Sequence, residues 1–101
     1  FISVKSITKA LDKFGRMKIH KWRKSIEAIA AELNPIIRGI KNYYCSTWSG
    51  HTHYLWRQLN MRLLKWVQWE KGLYKNAALN WLRKRYRESP RLFAHWELVY
   101  P

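Results

Sequence analysis

Apolar residues recur every three or four positions at Val4, Ile7, Leu11 and Phe14, the spacing that lines one face of an α-helix. Ser3 stands where an N-cap belongs and Gly15 where a helix stops, so the pattern predicts a first helix between them. A basic connector, RMKIHKWRK at 16–24, follows. Ser25 is then placed to cap a short second helix carrying Ile26, Ile29 and Leu33. Asn34-Pro35 reads as a stop and a restart, because proline fits the first helical position, where its missing N–H is not needed. A third helix is predicted from Pro35 to about Trp48. SGHTH at 49–53 reads as the loop into a fourth helix, from about Thr52 to Lys71, closed by Gly72. Asn76 is the predicted cap of a fifth, which runs to about Glu88 ahead of Ser89-Pro90. The tail RLFAHWELVY has no helical period and is expected as a short strand or an extended segment packed on the helices. The fold class is therefore all-α: one compact bundle of about five helices with an irregular or strand-like C-terminal tail.

The faces of these helices separate well at about 100° per residue. On the third, Ile36, Ile37, Ile40, Tyr43, Tyr44, Thr47 and Trp48 share one side, while Arg38, Lys41, Asn42 and Cys45 share the other. The two tyrosines can fill the core with their hydroxyls at the rim, or stack on bases. The fourth helix sets Leu55, Trp56, Leu59, Leu63, Trp66 and Val67 against Arg57, Gln58, Arg62, Lys65 and Gln68. On the fifth, Ala78, Leu79, Leu82 and Tyr86 oppose Arg83, Lys84, Arg85 and Arg87, and Trp81 falls among the basic residues. An exposed Trp81 flanked by arginines suits stacking on a base or ribose; the other reading packs it under the C-terminal tail.

Charge changes the picture. The 101 residues carry 20 Lys+Arg against 6 Asp+Glu, a formal net charge of +14. Most of these cations have no acid to pair with, and their mutual repulsion opposes folding unless a polyanion neutralises them. A pI near 10.4 points to nucleic acid first. Seven tryptophans exclude a disordered chain. With Cys45 the only cysteine, no internal disulfide can form, and a reducing compartment, bacterial cytoplasm or an organelle, is expected. No apolar run approaches the roughly 18 to 20 residues of a membrane span, and lysines interrupt the first twenty residues where a signal peptide would be apolar. The chain begins at Phe1, which suggests a fragment of a longer protein.

Catalytic chemistry is not legible. The acids Asp12, Glu27, Glu32, Glu70, Glu88 and Glu97 are scattered, with no pair placed as a two-carboxylate metal clamp. Cys45, His51 and His53, with His20 or His95, lack the paired spacing of a zinc site. No phosphate loop or nucleophile elbow occurs. The segment is expected to be neither an enzyme nor a holder of a metal or cofactor.

The stretch LNPIIRGIKNYY at 33–44 resembles the signature of the group II intron maturase-specific domain. The Asn34-Pro35, Arg38-Gly39 and Asn42-Tyr43-Tyr44 positions carry the likeness. SIEAIAAELNPIIRG is similar to the family's central helix-turn-helix, LNMRLLKWVQWEKG to its Leu/Trp-rich helix, and NWLRKRY to its closing basic helix. Ile40 departs from it, since many relatives place Trp after the Arg-Gly.

The resemblance implies a helical thumb, or X, region that binds intron RNA for splicing and grips primer-template duplex. Reverse-transcriptase fingers and palm would lie upstream, with the polymerase aspartates outside these residues. The candidate RNA contacts are Arg38, Gly39, Lys41 and Asn42 on the third helix, Arg83, Lys84, Arg85 and Arg87 with Trp81 on the fifth, and Arg16, Lys18, Lys21, Arg23 and Lys24 in the connector. Gly39 would admit either a close-approaching backbone or a tightly packed helix. A helix-turn-helix reader of duplex DNA, with the fifth helix in the major groove, is the alternative. A membrane-surface role is disfavoured, because the apolar arcs belong to several helices that can bury one another.

Overall fold

The computed structural model describes residues 4–43 and 50–101, and the side chains of 8–42 and 53–101. The expected Ser3 cap, the side chains of Val4, Ile7 and Tyr43, residue Tyr44, and the run from Cys45 to Trp48 lie outside the described residues.

Four α-helices form: α1 Val4–Met17, α2 Ile26–Tyr43, α3 Gly50–Lys71 and α4 Lys75–Glu88. Two short 3-10 turns, Ile19–Lys21 and Ala94–Glu97, complete the described elements, and no strand occurs among them. The longest helix, α3, packs against α1, the first 3-10 turn and α4, while α2 meets the second turn. The core joins Phe14, Ile19, Ile29, Leu33 and Ile37 to Leu55, Trp56, Leu59, Leu63 and Trp66, then Leu82, Phe93 and Trp96, each at most 2 % exposed.

The predicted second and third helices are one. Pro35 sits inside α2, where its ring removes the hydrogen bond that the Ala31 carbonyl would accept. Both Ala31 and Pro35 lie on the exposed side, so water can satisfy that carbonyl and the helix continues. Ser25 does cap this helix: its Oγ accepts from the Ala28 N–H at 3.2 Å.

Asn34 does not cap α2. Its Nδ2 donates to the Leu92 carbonyl at 2.9 Å and its Oδ1 accepts from the Ala94 N–H at 2.8 Å. It therefore supplies the cap for the 3-10 turn of the tail. Other boundaries shift similarly. Helix α1 passes Gly15, and Lys18, with φ 51°, takes the left-handed conformation expected of a terminating glycine. Gly72, with φ 63°, closes α3 as predicted, aided by a bond from the Leu73 N–H to the Gln68 carbonyl. Tyr74, and not Asn76, stands at the N-cap of α4.

The tail packs on the helices, as expected, through a 3-10 turn that buries His95 and Trp96. Asn60 Oδ1 accepts from Trp96 Nε1 at 3.0 Å and from His95 Nε2 at 2.6 Å. An amide oxygen can only accept, so a proton sits on His95 Nε2, and burial of the ring favours its neutral form. The connector is pinned in the same way. Trp22 Nε1 donates to the Met17 carbonyl at 2.9 Å, and Trp66 Nε1 to the Trp22 carbonyl at 2.8 Å.

Two stability predictions follow from these contacts. Asn34→Ala leaves the Leu92 and Ala94 peptide groups without partners, which costs about 2–4 kcal/mol and lowers the thermal midpoint by roughly 10 °C or more. Calorimetry reads both. Burial, with the Lys41 charge adding to it, brings the His95 pKa down from 6.5 to about 3. The folded chain thus refuses a proton that the unfolded chain accepts. The stabilisation is full above pH 6.5 and falls by up to about 1.4 kcal/mol per unit as the pH drops toward 3. Urea titrations at pH 7 and pH 5 should show the loss, and His95→Gln should flatten it.

Candidate nucleic-acid interface

The predicted contact residues divide into cations held by the fold and cations left to solvent. Lys41 belongs to the first group. Its ammonium donates to the Ala94 carbonyl at 2.9 Å and pairs with the Glu97 carboxylate. The hydrogen bond and charge of Lys41 hold the Glu97 carboxyl below its ordinary range. Lys24 pairs with Glu32 and lies 4.5 Å from the centre of the Trp22 ring. Arg83 donates from Nε to the Pro101 carbonyl at 3.3 Å and stands over Tyr100. Arg85 pairs with Glu88 at 2.7 Å.

Arg16, Lys18, Lys21, Arg23, Arg38, Lys84 and Arg87 are exposed. Among the described residues the Lys/Arg–carboxylate pairs are only Lys24–Glu32, Lys41–Glu97 and Arg85–Glu88, so none of these seven is neutralised. On α2, Gly39 and Asn42 are exposed beside Arg38. Among the described residues, a Cβ added at Gly39 would meet nothing within 4 Å. Tight helix packing is therefore not what this glycine serves, and its backbone lies open to a partner.

Trp81 does not pack under the tail. Its ring lies against Trp66, with centroids 6.2 Å apart, and Lys71 and Arg85 each stand 5.4 Å from its centroid. Tail contacts go instead to Tyr86, whose ring meets Trp96 and Tyr100 edge-on at 5.7 and 5.0 Å. The half-buried Trp81 lines a recess of about 420 Å³ with Arg23, Lys24, Lys71 and Arg85, into which Glu27 and Glu70 also face. Four of the predicted residues, from the connector and α4, thus share one recess. Lys71 was not among the predicted contacts, nor was Arg62, which with Arg16 and Lys18 lines a second recess between α1 and α3. No spacing rule shows that Arg62 meets Gly15 across two helices.

No cluster of three His, Cys, Asp or Glu side chains that could hold a metal occurs among the described residues. Cys45 and the side chain of His51 lie outside them. No described helix is long and apolar enough to cross a membrane.

Comparison with known proteins found no match among curated proteins and none among solved structures. The family described as group II intron, maturase-specific domain matches residues 5–87, which include α2, with its Asn34-Pro35 and Arg38-Gly39, and the basic α4. This domain is not itself catalytic. The chain belongs to the group II intron maturase-specific domain family.

Proposed function

We propose that this chain binds folded group II intron RNA and thereby promotes the intron's splicing, and that in a parent reverse transcriptase the same surfaces grip primer-template duplex. The family supplies the setting, which is group II intron splicing. The observation that carries the reading is the set of exposed cations without carboxylate partners: Arg16, Lys18, Lys21, Arg23, Arg38, Lys84 and Arg87. Phosphates neutralise them and release condensed counterions, which drives binding. Arg38, Gly39 and Asn42 form an open stretch where an RNA backbone can come close to α2. Beside the Trp81 recess, Arg23 and Lys71 supply charge while the ring offers part of a stacking face. In that parent, fingers and palm would lie upstream, and the proposed binding asks for no cofactor.

Gel-shift or filter binding to a group II intron transcript tests this. With about 6 to 10 phosphates engaged, affinity falls by about 10³ to 10⁵ between roughly 50 and 200 mM salt. Arg38→Ala with Asn42→Ala weakens binding about tenfold and leaves the thermal midpoint in place. Lys41→Ala does the reverse, lowering the midpoint first, because it strips the Ala94 carbonyl and Glu97 of their partner. Duplex DNA that competes as well as the intron RNA would overturn the reading in favour of a helix-turn-helix DNA binder.

A further inference from the structure

Asp12, Gly15 and Arg16 near the end of α1, Lys18 just beyond it and Arg62 on α3 line a recess of about 440 Å³. Arg62 lies flat on Gly15. A Cβ built on that glycine would stand 3.4 Å from Nη2, 3.8 Å from Cζ and 3.9 Å from Nη1. Three such similar distances place the guanidinium plane across the glycine instead of end-on to it. Glycine at 15 provides the bare seat, since a long side chain there would occupy the space the guanidinium fills.

The fork so held has no carboxylate. Asp12 lines the same recess, yet the Lys/Arg–carboxylate pairs of the described residues do not include Arg62. Its Nε is buried without an acceptor among those residues, so no oxygen of the described fold claims that donor. Arg16 and Lys18 add two exposed cations at the rim. Against these three positive charges stand Asp12 and the carbonyl end of α1, where Trp22 Nε1 already takes the Met17 carbonyl. The balance stays positive by a small margin, which suits a singly charged ligand. A planar guanidinium matches two oxygens on one phosphorus far better than an ammonium does.

We infer that the Gly15–Arg62 seat is a binding site for a phosphodiester of the RNA backbone, and that it works through the orientation of Arg62 as much as through its charge. The inference rests on the RNA-binding reading above. It adds a site that unites α1 and α3, neither of whose residues 15 and 62 was among the predicted contacts.

The test compares the chain with Arg62→Lys, Gly15→Leu and Arg62→Ala in binding to the intron transcript, with thermal midpoints measured in parallel. Arg62→Lys keeps the charge and loses the fork; about tenfold weaker binding is expected at an unchanged midpoint. Gly15→Leu improves the local helix propensity but displaces the guanidinium, and a similar loss is expected. Arg62→Ala should lower the salt slope by about one. If the unaltered chain binds and Arg62→Lys and Gly15→Leu bind equally well, the seat is refuted while the RNA reading stands. If the unaltered chain binds no RNA, the RNA reading fails and the seat fails with it. Should Gly15→Leu or Arg62→Ala lower the midpoint, Arg62→Lys decides the question alone.

Discussion

The amide of Asn34 is the contact on which the closure of this domain depends. One side chain satisfies the Leu92 carbonyl and the Ala94 N–H, which are 58 and 60 positions away in the chain. The Ala94 N–H opens a 3-10 turn and has no partner within it. Once Asn34 takes it, Phe93, His95 and Trp96 can enter the core, all at most 1 % exposed. Lys41, two turns further along α2, takes the Ala94 carbonyl and, at the other end of the same turn, Glu97. Without the pair of contacts, three aromatic rings would have to enter the interior on a segment whose peptide groups were unpaired, and burying such groups is expensive.

That arrangement also sorts the charge. A fold with 20 basic and 6 acidic side chains can neutralise few cations internally, and the paired acids are used where they fix geometry. Glu97 holds Lys41 on the tail, Glu32 holds Lys24 on the connector, and Glu88 holds Arg85 on α4. The seven exposed predicted cations remain unpaired and repel one another. Their placement is a standing cost to stability that a polyanion would remove, so the proposed binding and folding would favour each other.

The sequence made the helical faces legible because burial follows the helical period directly. Leu55, Trp56, Leu59, Leu63, Trp66 and Val67 were assigned to one arc and all are buried. Gly72 and Ser25 act where the rules of helix ends put them. The rules failed at Asn34-Pro35, where the capping chemistry was read correctly and attached to the wrong helix. A local pattern cannot show that the turn needing the cap lies near residue 94. Lys41 was grouped with Arg38 and Asn42 by angle alone, and angle does not reveal an acceptor brought from the tail. The packing of Trp81 under the tail failed for the same reason: its partner Trp66 is on another helix. Of the site, sequence showed which side chains are cationic and outward. It could not show which of them tertiary contacts would claim, nor that Arg62 would lie on Gly15.

The family match ends at residue 87, yet the folded unit does not. Within the matched region, Asn34 and Lys41 make their polar contacts with residues 92, 94 and 97, and Asn60 makes its own with residues 95 and 96. The ring of Trp56 lies 5.7 Å from that of His95. These positions would be polar or aromatic groups facing nothing if the structural unit stopped where the match does. The segment beyond residue 87 therefore contributes Phe93, His95 and Trp96 to the core of this chain, and Asn34 is what attaches it. The open stretch at Arg38, Gly39 and Asn42 keeps its place because the other side of the same helix is anchored to that tail. The recognition proposed for one side of α2 thus depends on closure at the other.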